Sequence, residues 1–154
     1  MKLMYLRRQQ GYSQILLIIT LFILTTLSGC SNISRQDEHT LQYTKTISEQ
    51  ITGLLISLEQ IGKMEPDCRY ESFNNDYRQI RVGLNTLVLR EQAKPQNSET
   101  VKQVKRLNDS IGLLAELHSN GCLSKGEIAN LQEQFNTQTG AIFKLEHSKP
   151  QRLF

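Results

Sequence analysis

Apolar side chains recur every three or four positions through most of the chain after residue 38, which is the spacing of amphipathic α-helices. No stretch in this part of the sequence alternates with the period of two that a β-strand requires. The pattern therefore predicts four helices of about 20 residues each. The four apolar stripes are Thr44, Ile47, Ile51, Leu54, Leu58 and Ile61; Phe73, Tyr77, Ile80, Leu84 and Leu87; Val101, Val104, Leu107, Ile111, Leu114 and Leu117; and Ile128, Leu131, Phe135, Ile142 and Leu145.

The breaks between the stripes carry residues that end or begin helices. Pro66 follows the first stripe and cannot continue a helix. Asn97 and Ser98 are alternative N-caps for the third helix. Ser124 and Glu127 have the spacing of a capping box, which predicts that the fourth helix begins there.

Four helices joined by short connections predict an all-α protein, an up-down-up-down four-helix bundle over residues 39–147 with a C-terminal tail over 148–154. A long helical hairpin or a coiled-coil oligomer is the alternative arrangement. The segment GLLISL at 53–58 resembles GLLAEL at 112–117. This short match is compatible with an internal duplication and equally with chance.

The first 29 residues differ from the rest of the chain. Lys2, Arg7 and Arg8 precede an uncharged apolar run of 13 residues, 15–27, with no acidic residue before it. A membrane-spanning helix needs about 20 apolar residues, so the run fits the shorter apolar region of a cleaved secretory signal peptide.

The residues that follow, Leu27-Ser28-Gly29-Cys30, resemble the lipobox of bacterial lipoproteins. The resemblance implies that Cys30 receives lipid, that residues 1–29 are removed, and that residues 30–38 form a polar tether. An uncleaved signal anchor is the alternative. Because inner-membrane lipoproteins often carry Asp where this chain has Ser31, the resemblance implies a periplasm-facing anchor in the outer membrane of a Gram-negative host.

Charge and composition exclude several functions. The full chain carries 18 basic and 15 acidic residues, and the signal contains three of the basic ones. The processed chain is therefore neutral and without a basic stripe, which disfavours nucleic-acid binding. His39, His118 and His147 lie far apart in sequence and lack the paired spacing of zinc ligands. We expect no enzyme activity, no metal and no cofactor.

Cys68 and Cys122 remain once Cys30 is lipidated, an even number in an oxidising compartment. They lie between the first and second and between the third and fourth predicted helices, at the same end of an up-down-up-down bundle. The sequence therefore predicts a disulfide between them, with two free thiols as the alternative.

Three functional hypotheses follow. The first is a lipid-anchored, non-catalytic binding or scaffold module for an envelope protein partner. The second is a pilotin-like chaperone of a secretion-system secretin, because some pilotins are small lipoproteins with a four-helix body and one disulfide. The third, a cell-wall enzyme, lacks a cluster of carboxylates or a Cys-His pair.

Two groups of residues are candidates for contact with a partner. Gln138 interrupts the fourth apolar stripe, so the helix face near Gln138 and Thr139 is the predicted binding site, with Asn136 expected on the opposite face. Arg78 and Arg81 on the second helix are candidates for charged contacts at the rim of an interface.

Overall fold

The computed structural model describes residues 34–62 and 67–151. These residues form four α-helices and no strand, so the predicted all-α class is confirmed. The helices are α1 (Glu38–Ile61), α2 (Asn74–Gln92), α3 (Ser98–Ser119) and α4 (Lys125–His147), and a short 3-10 helix (Tyr70–Phe73) precedes α2. The predicted signal peptide and Cys30 lie outside the described residues.

Local chemistry explains where α1 and α4 begin and end. The carboxylate of Asp37 accepts a hydrogen bond from the His39 amide at 2.9 Å and caps α1. Gly62, with a φ of +62°, ends α1 in a conformation that residues with a Cβ avoid. The predicted capping box is confirmed, because the Ser124 hydroxyl accepts from the Glu127 amide and the Ser124 amide donates to the Glu127 carboxylate.

Asn97 precedes α3, as predicted, but its side chain makes no capping bond. Its amide nitrogen instead donates to the carboxylate of Glu91 at 2.7 Å. Glu91 is fully buried, and a buried carboxylate needs hydrogen-bond donors more than an exposed helix terminus does. The local capping preference of asparagine is therefore overridden by a tertiary contact.

The helices bury their apolar stripes against one another in a helical bundle. α1 packs against α2 and α4, and α3 also packs against α2 and α4. One stripe residue is misplaced by the sequence pattern: Leu117 is 42% exposed, and His118 is buried instead. Both ring nitrogens of His118 have hydrogen-bond partners, which makes its burial tolerable.

The buried positions of the first two helices correspond to those of the last two. Between α1 and α3 the shift in numbering is 60, and the pairs are Thr40/Thr100, Thr44/Val104, Ile47/Leu107, Ile51/Ile111, Leu54/Leu114, Leu55/Ala115 and Leu58/His118. Between residues 73–91 and residues 128–146 the shift is 55, and the pairs are Phe73/Ile128, Ile80/Phe135, Leu84/Thr139, Leu87/Ile142 and Glu91/Glu146. We call residues related by these shifts equivalent. The first hairpin (α1 and α2) and the second hairpin (α3 and α4) are thus built on one pattern.

The GLLxxL match is out of register with this correspondence. It aligns Leu54 with Leu113, which is 65% exposed, whereas the buried equivalent of Leu54 is Leu114. A different match has the correct register: EQAKPQ at 91–96 and EHSKPQ at 146–151 stand at the ends of α2 and α4. The internal repeat is therefore carried by the helix ends and the buried positions.

Candidate binding groove

A groove of about 190 Å³ lies between α1 and α4. Helical spacing brings its residues to one line on each helix, since positions three and four apart share a face. The lining residues are Ser48, Ile51, Thr52, Leu55 and Ile56 of α1 and Gln132, Phe135, Asn136 and Thr139 of α4. The two walls come from opposite ends of the sequence.

The groove has an apolar floor and a partly polar rim. Ile51, Leu55 and Phe135 are almost completely buried, whereas Ile56 is 43% exposed at the rim. Gln132 is half-buried and Asn136 is exposed, so their amides stand where a bound group can reach them. Such a combination suits a side chain that has an apolar body and a polar end.

Only one of the two residues predicted on the binding face lines the groove. Thr139 lines the groove, and its hydroxyl donates to the Phe135 carbonyl at 2.8 Å. Gln138 does not line it, because successive residues point about 100° apart on a helix. Its amide donates instead to the Ser110 hydroxyl of α3 at 2.8 Å.

Asn136 does not lie opposite Thr139, and that expectation was wrong. Residues three apart on a helix are neighbours on one face, and Asn136 lines the same groove as Thr139. The arginines predicted at an interface rim are exposed on α2, outside the groove. Arg78 donates to the Asn75 side chain at 2.8 Å, and Arg81 is exposed nearby on the same helix.

Two other depressions are less suited to binding a side chain. The cleft of about 210 Å³ between α1 and α2 has a smaller apolar floor, formed by Leu54 and Ile80, and a charged residue, Asp76, in its wall. A hollow of about 420 Å³ is lined by residues of α4 alone, such as Asn130 and Thr137, and has no second wall. The α1–α4 groove combines two walls with a floor of three apolar residues and has no charged residue in its lining.

One end of the bundle is closed by the predicted disulfide. Cys68 and Cys122 are bonded with their Cα atoms 5.4 Å apart, within the usual range for such bridges. The bond joins the segment before α2 to the segment between α3 and α4. Cys68 is buried and Cys122 is half-buried.

His118 connects this disulfide to the aromatic side chains beside it. One ring nitrogen, Nε2, lies 2.7 Å from the Cys68 carbonyl, and the other, Nδ1, lies 3.0 Å from the Tyr77 hydroxyl. A carbonyl only accepts, so Nε2 carries the proton and Nδ1 accepts from Tyr77. Burial, with smaller contributions from Tyr70 and Asp76, raises the pKa of Tyr77 well above its usual value. The hydroxyl therefore stays protonated, and His118 is held in one tautomer as a structural residue.

The other end of the bundle contains two equivalent charged clusters. In the first, Glu91 accepts from the Thr40 hydroxyl at 2.8 Å and from the Lys94 ammonium at 2.7 Å. Lys94 also forms an ion pair with Asp37 at 2.7 Å, and Arg90 reaches the same carboxylate at 2.9 Å. Burial acts to raise the pKa of Asp37, but the hydrogen bonds from Lys94 and Arg90 outweigh it and hold that pKa well below the usual value.

The second cluster uses the equivalent residues with two changes of charge, since Asn97 stands for Asp37 and Leu145 for Arg90. Glu146 accepts from the Thr100 hydroxyl at 2.8 Å and pairs with Lys149. Lys149 then donates to the Asn97 side chain at 2.7 Å, where Lys94 has Asp37. Lys149 is 5% exposed and Glu146 is fully buried, so this cluster is the drier of the two.

The residues just before α1 are fastened to this charged end. The Ser34 amide donates to the Gln96 carbonyl at 3.1 Å, and its hydroxyl donates to the Asn97 side chain at 2.7 Å. The Gln36 amide donates to the Pro150 carbonyl at 3.0 Å. Part of the segment predicted as a tether over 30–38, and the start of the tail predicted over 148–154, therefore pack on the bundle.

Sequence reasoning missed the charged clusters and the α1 wall of the groove. Glutamate and lysine are seldom fully buried, so neither cluster was expected. The repeated E-x-x-K-P-Q was the available signal. The wall formed by Ser48, Thr52 and Ile56 had no comparable signal, because periodicity does not say which helices are neighbours.

Within residues 34–62 and 67–151 no three His, Cys, Asp or Glu side chains cluster as metal ligands would. In the same part of the chain no helix is long and apolar enough to cross a membrane. No protein-family model, curated protein or solved structure matches the chain. The fold and the site together define a disulfide-closed, all-α helical bundle with a groove between α1 and α4 that has a buried apolar floor and uncharged polar residues at its rim.

Proposed function

We propose that this chain is a lipid-anchored cell-envelope protein whose helical bundle binds a protein partner in the α1–α4 groove and catalyses no reaction. The observation that carries the proposal is the groove of about 190 Å³ with a buried floor of Ile51, Leu55 and Phe135. A pocket of this kind receives an apolar side chain of a partner without any catalytic group.

The anchor is supported by the order of the N-terminal features, a basic start, a short apolar run and the lipobox ending at Cys30. The Cys68–Cys122 bridge supports export, because disulfides persist in oxidising compartments. Labelled palmitate is expected to enter the wild-type chain and not Cys30→Ala. Equal labelling of the two would refute the anchor. Ser31 favours the outer membrane, and recovery mainly in the inner-membrane fraction would refute that assignment alone.

The anchor would act over a short distance. Ser34, the first of the described residues and one that is hydrogen-bonded to the bundle, follows Cys30 by four residues. A fully extended chain of four residues reaches about 14 Å at most. The proposed lipid would therefore hold the charged end of the bundle near the bilayer.

The finer arrangement of the bundle, up-down-up-down, is part of this proposal. It is supported by the packing of each helix against two others and by the disulfide between the first and third connections. In that arrangement the α1–α4 groove runs between the first and last helices and is open to a partner along its length.

A photo-crosslinking amino acid tests the binding site directly. Thr52 lines the groove, and Thr86 is an exposed threonine of α2 outside it. We expect the crosslinker at Thr52, introduced into cells, to capture a discrete envelope protein and the one at Thr86 to capture none. Capture of the same protein at both positions would show that the groove is not the binding site. Capture at neither would refute partner binding through this face.

The pilotin-like role is a narrower form of the same proposal. It is favoured by the combination of four helices with a single disulfide. It requires that the protein captured at Thr52 be a secretin subunit, and that the secretin reach the outer membrane poorly when Cys30 is replaced by Ala. Normal secretin assembly in the absence of this chain would refute it.

A further inference from the structure

The groove between α1 and α4 has a counterpart in the same molecule, the interface between α3 and α2. Because α1 and α4 are equivalent to α3 and α2, the α1–α4 interface corresponds to the α3–α2 interface. Ile51 of the groove floor corresponds to Ile111, and Phe135 corresponds to Ile80. Each equivalent is buried, and the third floor residue, Leu55, corresponds to the smaller Ala115, so the two floors are similar but not identical.

The two interfaces differ in one position that carries an aromatic ring in the α3–α2 interface but not in the α1–α4 interface. Gln132 of the groove is equivalent to Tyr77 of the other interface. Tyr77 is 1% exposed, stacks on Tyr70 with ring centroids 5.1 Å apart and donates to His118. The α3–α2 interface is thus filled by an aromatic ring from its own chain, whereas the α1–α4 interface has a half-buried amide at that position and a groove beside it.

A second difference lies at the rim. Ile56, 43% exposed, is equivalent to Glu116, which is an exposed charged residue. An isoleucine left at the edge of a groove adds apolar surface where the other interface has a charge. The first difference leaves the α1–α4 side more open, and the second makes it more apolar at its edge.

We infer that the α1–α4 groove is a receptor for a single aromatic side chain of the partner, seated on Ile51, Leu55 and Phe135 beside Gln132, the equivalent of Tyr77. The volume agrees with this occupant: the groove measures about 190 Å³, and an apolar cavity of about 150 Å³ suffices to hold benzene. Phe135 offers a ring for aromatic packing, and the Gln132 and Asn136 amides at the rim suit a tyrosine hydroxyl or an indole N–H. This inference rests on the proposed binding function.

The test uses a soluble probe and the full chain in detergent micelles. N-acetyl-tyrosinamide is titrated while the methyl resonances of Ile51, Leu55 and Ile56 are followed by NMR, with N-acetyl-leucinamide as the matched aliphatic probe. We expect saturable ring-current shifts with the tyrosine amide and an affinity about tenfold weaker for the leucine amide, since aromatic pairs add attraction beyond area burial. Equal affinities, or no shift at these methyls, would overturn the inference.

Two substitutions on α4 distinguish the effect of filling the groove from the effect of adding a tyrosine anywhere on that helix. Gln132→Tyr introduces the ring that its equivalent carries, and it is expected to weaken probe binding at least about tenfold. Gln134→Tyr adds the same side chain at an exposed position outside the groove and is expected to leave binding unchanged. Equal loss in both variants would overturn the inference. If Gln132→Tyr does not fold, Asn136→Tyr at the exposed rim takes its place with the same expected loss.

Failure of the aromatic-receptor inference can be distinguished from failure of the proposed partner-binding function. If the probe binds but no protein is crosslinked at Thr52, the aromatic receptor is supported and the protein partner is refuted. Crosslinking at Thr52 without probe binding would leave the partner and refute the aromatic receptor.

Discussion

The two hairpins share one buried pattern but differ at a few equivalent positions. At the charged end, Lys94 of the first hairpin has two carboxylate partners, Asp37 and Glu91, whereas Lys149 of the second has Glu146 and the neutral Asn97. At the other end, Tyr77 and His118 form a hydrogen bond. Their equivalents, Gln132 and Leu58, cannot form one, because the leucine side chain has no polar atom. Positions that agree build the bundle, and positions that differ give each hairpin its own chemistry.

The largest effect is expected from the bond that joins the hairpins. Replacing Cys68 and Cys122 together by Ser removes a cross-link that spans 54 residues. Loop-closure entropy puts the loss of unfolding free energy at about 4 kcal/mol, as an upper-end figure. Urea unfolding measures it, and reduced wild-type protein is the control. A loss below about 1 kcal/mol would show that the hairpins hold together without the bridge.

The next largest loss of unfolding free energy is expected in the charged clusters, and it should differ between the two. Glu146→Gln keeps an acceptor for Thr100 but leaves the buried Lys149 charge without a carboxylate. We expect a loss of about 3 kcal/mol, the low end for breaking a buried ion pair. Glu91→Gln is expected to cost roughly half as much, because Lys94 keeps Asp37. Equal losses in urea unfolding would contradict the difference between the clusters.

A smaller effect is expected at the aromatic end. Tyr77→Phe keeps the ring but removes the donor to His118 Nδ1, which is buried. Leaving a buried acceptor without its donor costs about 1 to 2 kcal/mol. Tyr43→Phe removes a hydroxyl from a ring that is 43% exposed and is the control. Equal melting temperatures for the two variants would show that the Tyr77–His118 bond contributes nothing.

The smallest effect concerns Asp37 and depends on pH. Its pKa is lowered in the folded state, so its contribution is present above the unfolded pKa of about 3.9 and is lost as the pH falls toward the folded pKa. Asp37→Asn keeps the N-cap and removes the charge. We expect it to cost about 1 kcal/mol at pH 7, since the pair is partly exposed, and less at pH 3. A cost that does not change with pH would exclude the ionic contribution.

The sequence was sufficient for features that depend on neighbours along the chain. Helical periodicity located the four helices, and the Ser124–Glu127 box was found because both partners lie within one turn. Cys68 and Cys122 could be paired because few cysteines were available. Leu117 was misassigned because a leucine at helical spacing looks apolar whether or not the adjacent His118 finds buried partners.

The candidate site was predicted only in part. Thr139, predicted on the partner-binding face, lines the groove, whereas Gln138, which was grouped with it, contacts Ser110 of α3. The groove also needs Thr52 and Ile56 of α1, which lie about 80 residues earlier in the chain. Which helices become neighbours depends on how the whole bundle packs, and no local pattern of residues contains that information.

The disulfide also gives the bundle a mechanical property. Residues 68–122, which contain α2 and α3, form a closed covalent ring. A pull applied between the N-terminus and a partner held at α4 cannot extend this ring, and about 190 Å of contour length stays inaccessible to stretching. The load falls instead on α1 and α4, which are the two described helices outside the ring and the two that line the groove. Tension along the chain would therefore act first on the binding site and leave the ring of α2 and α3 intact.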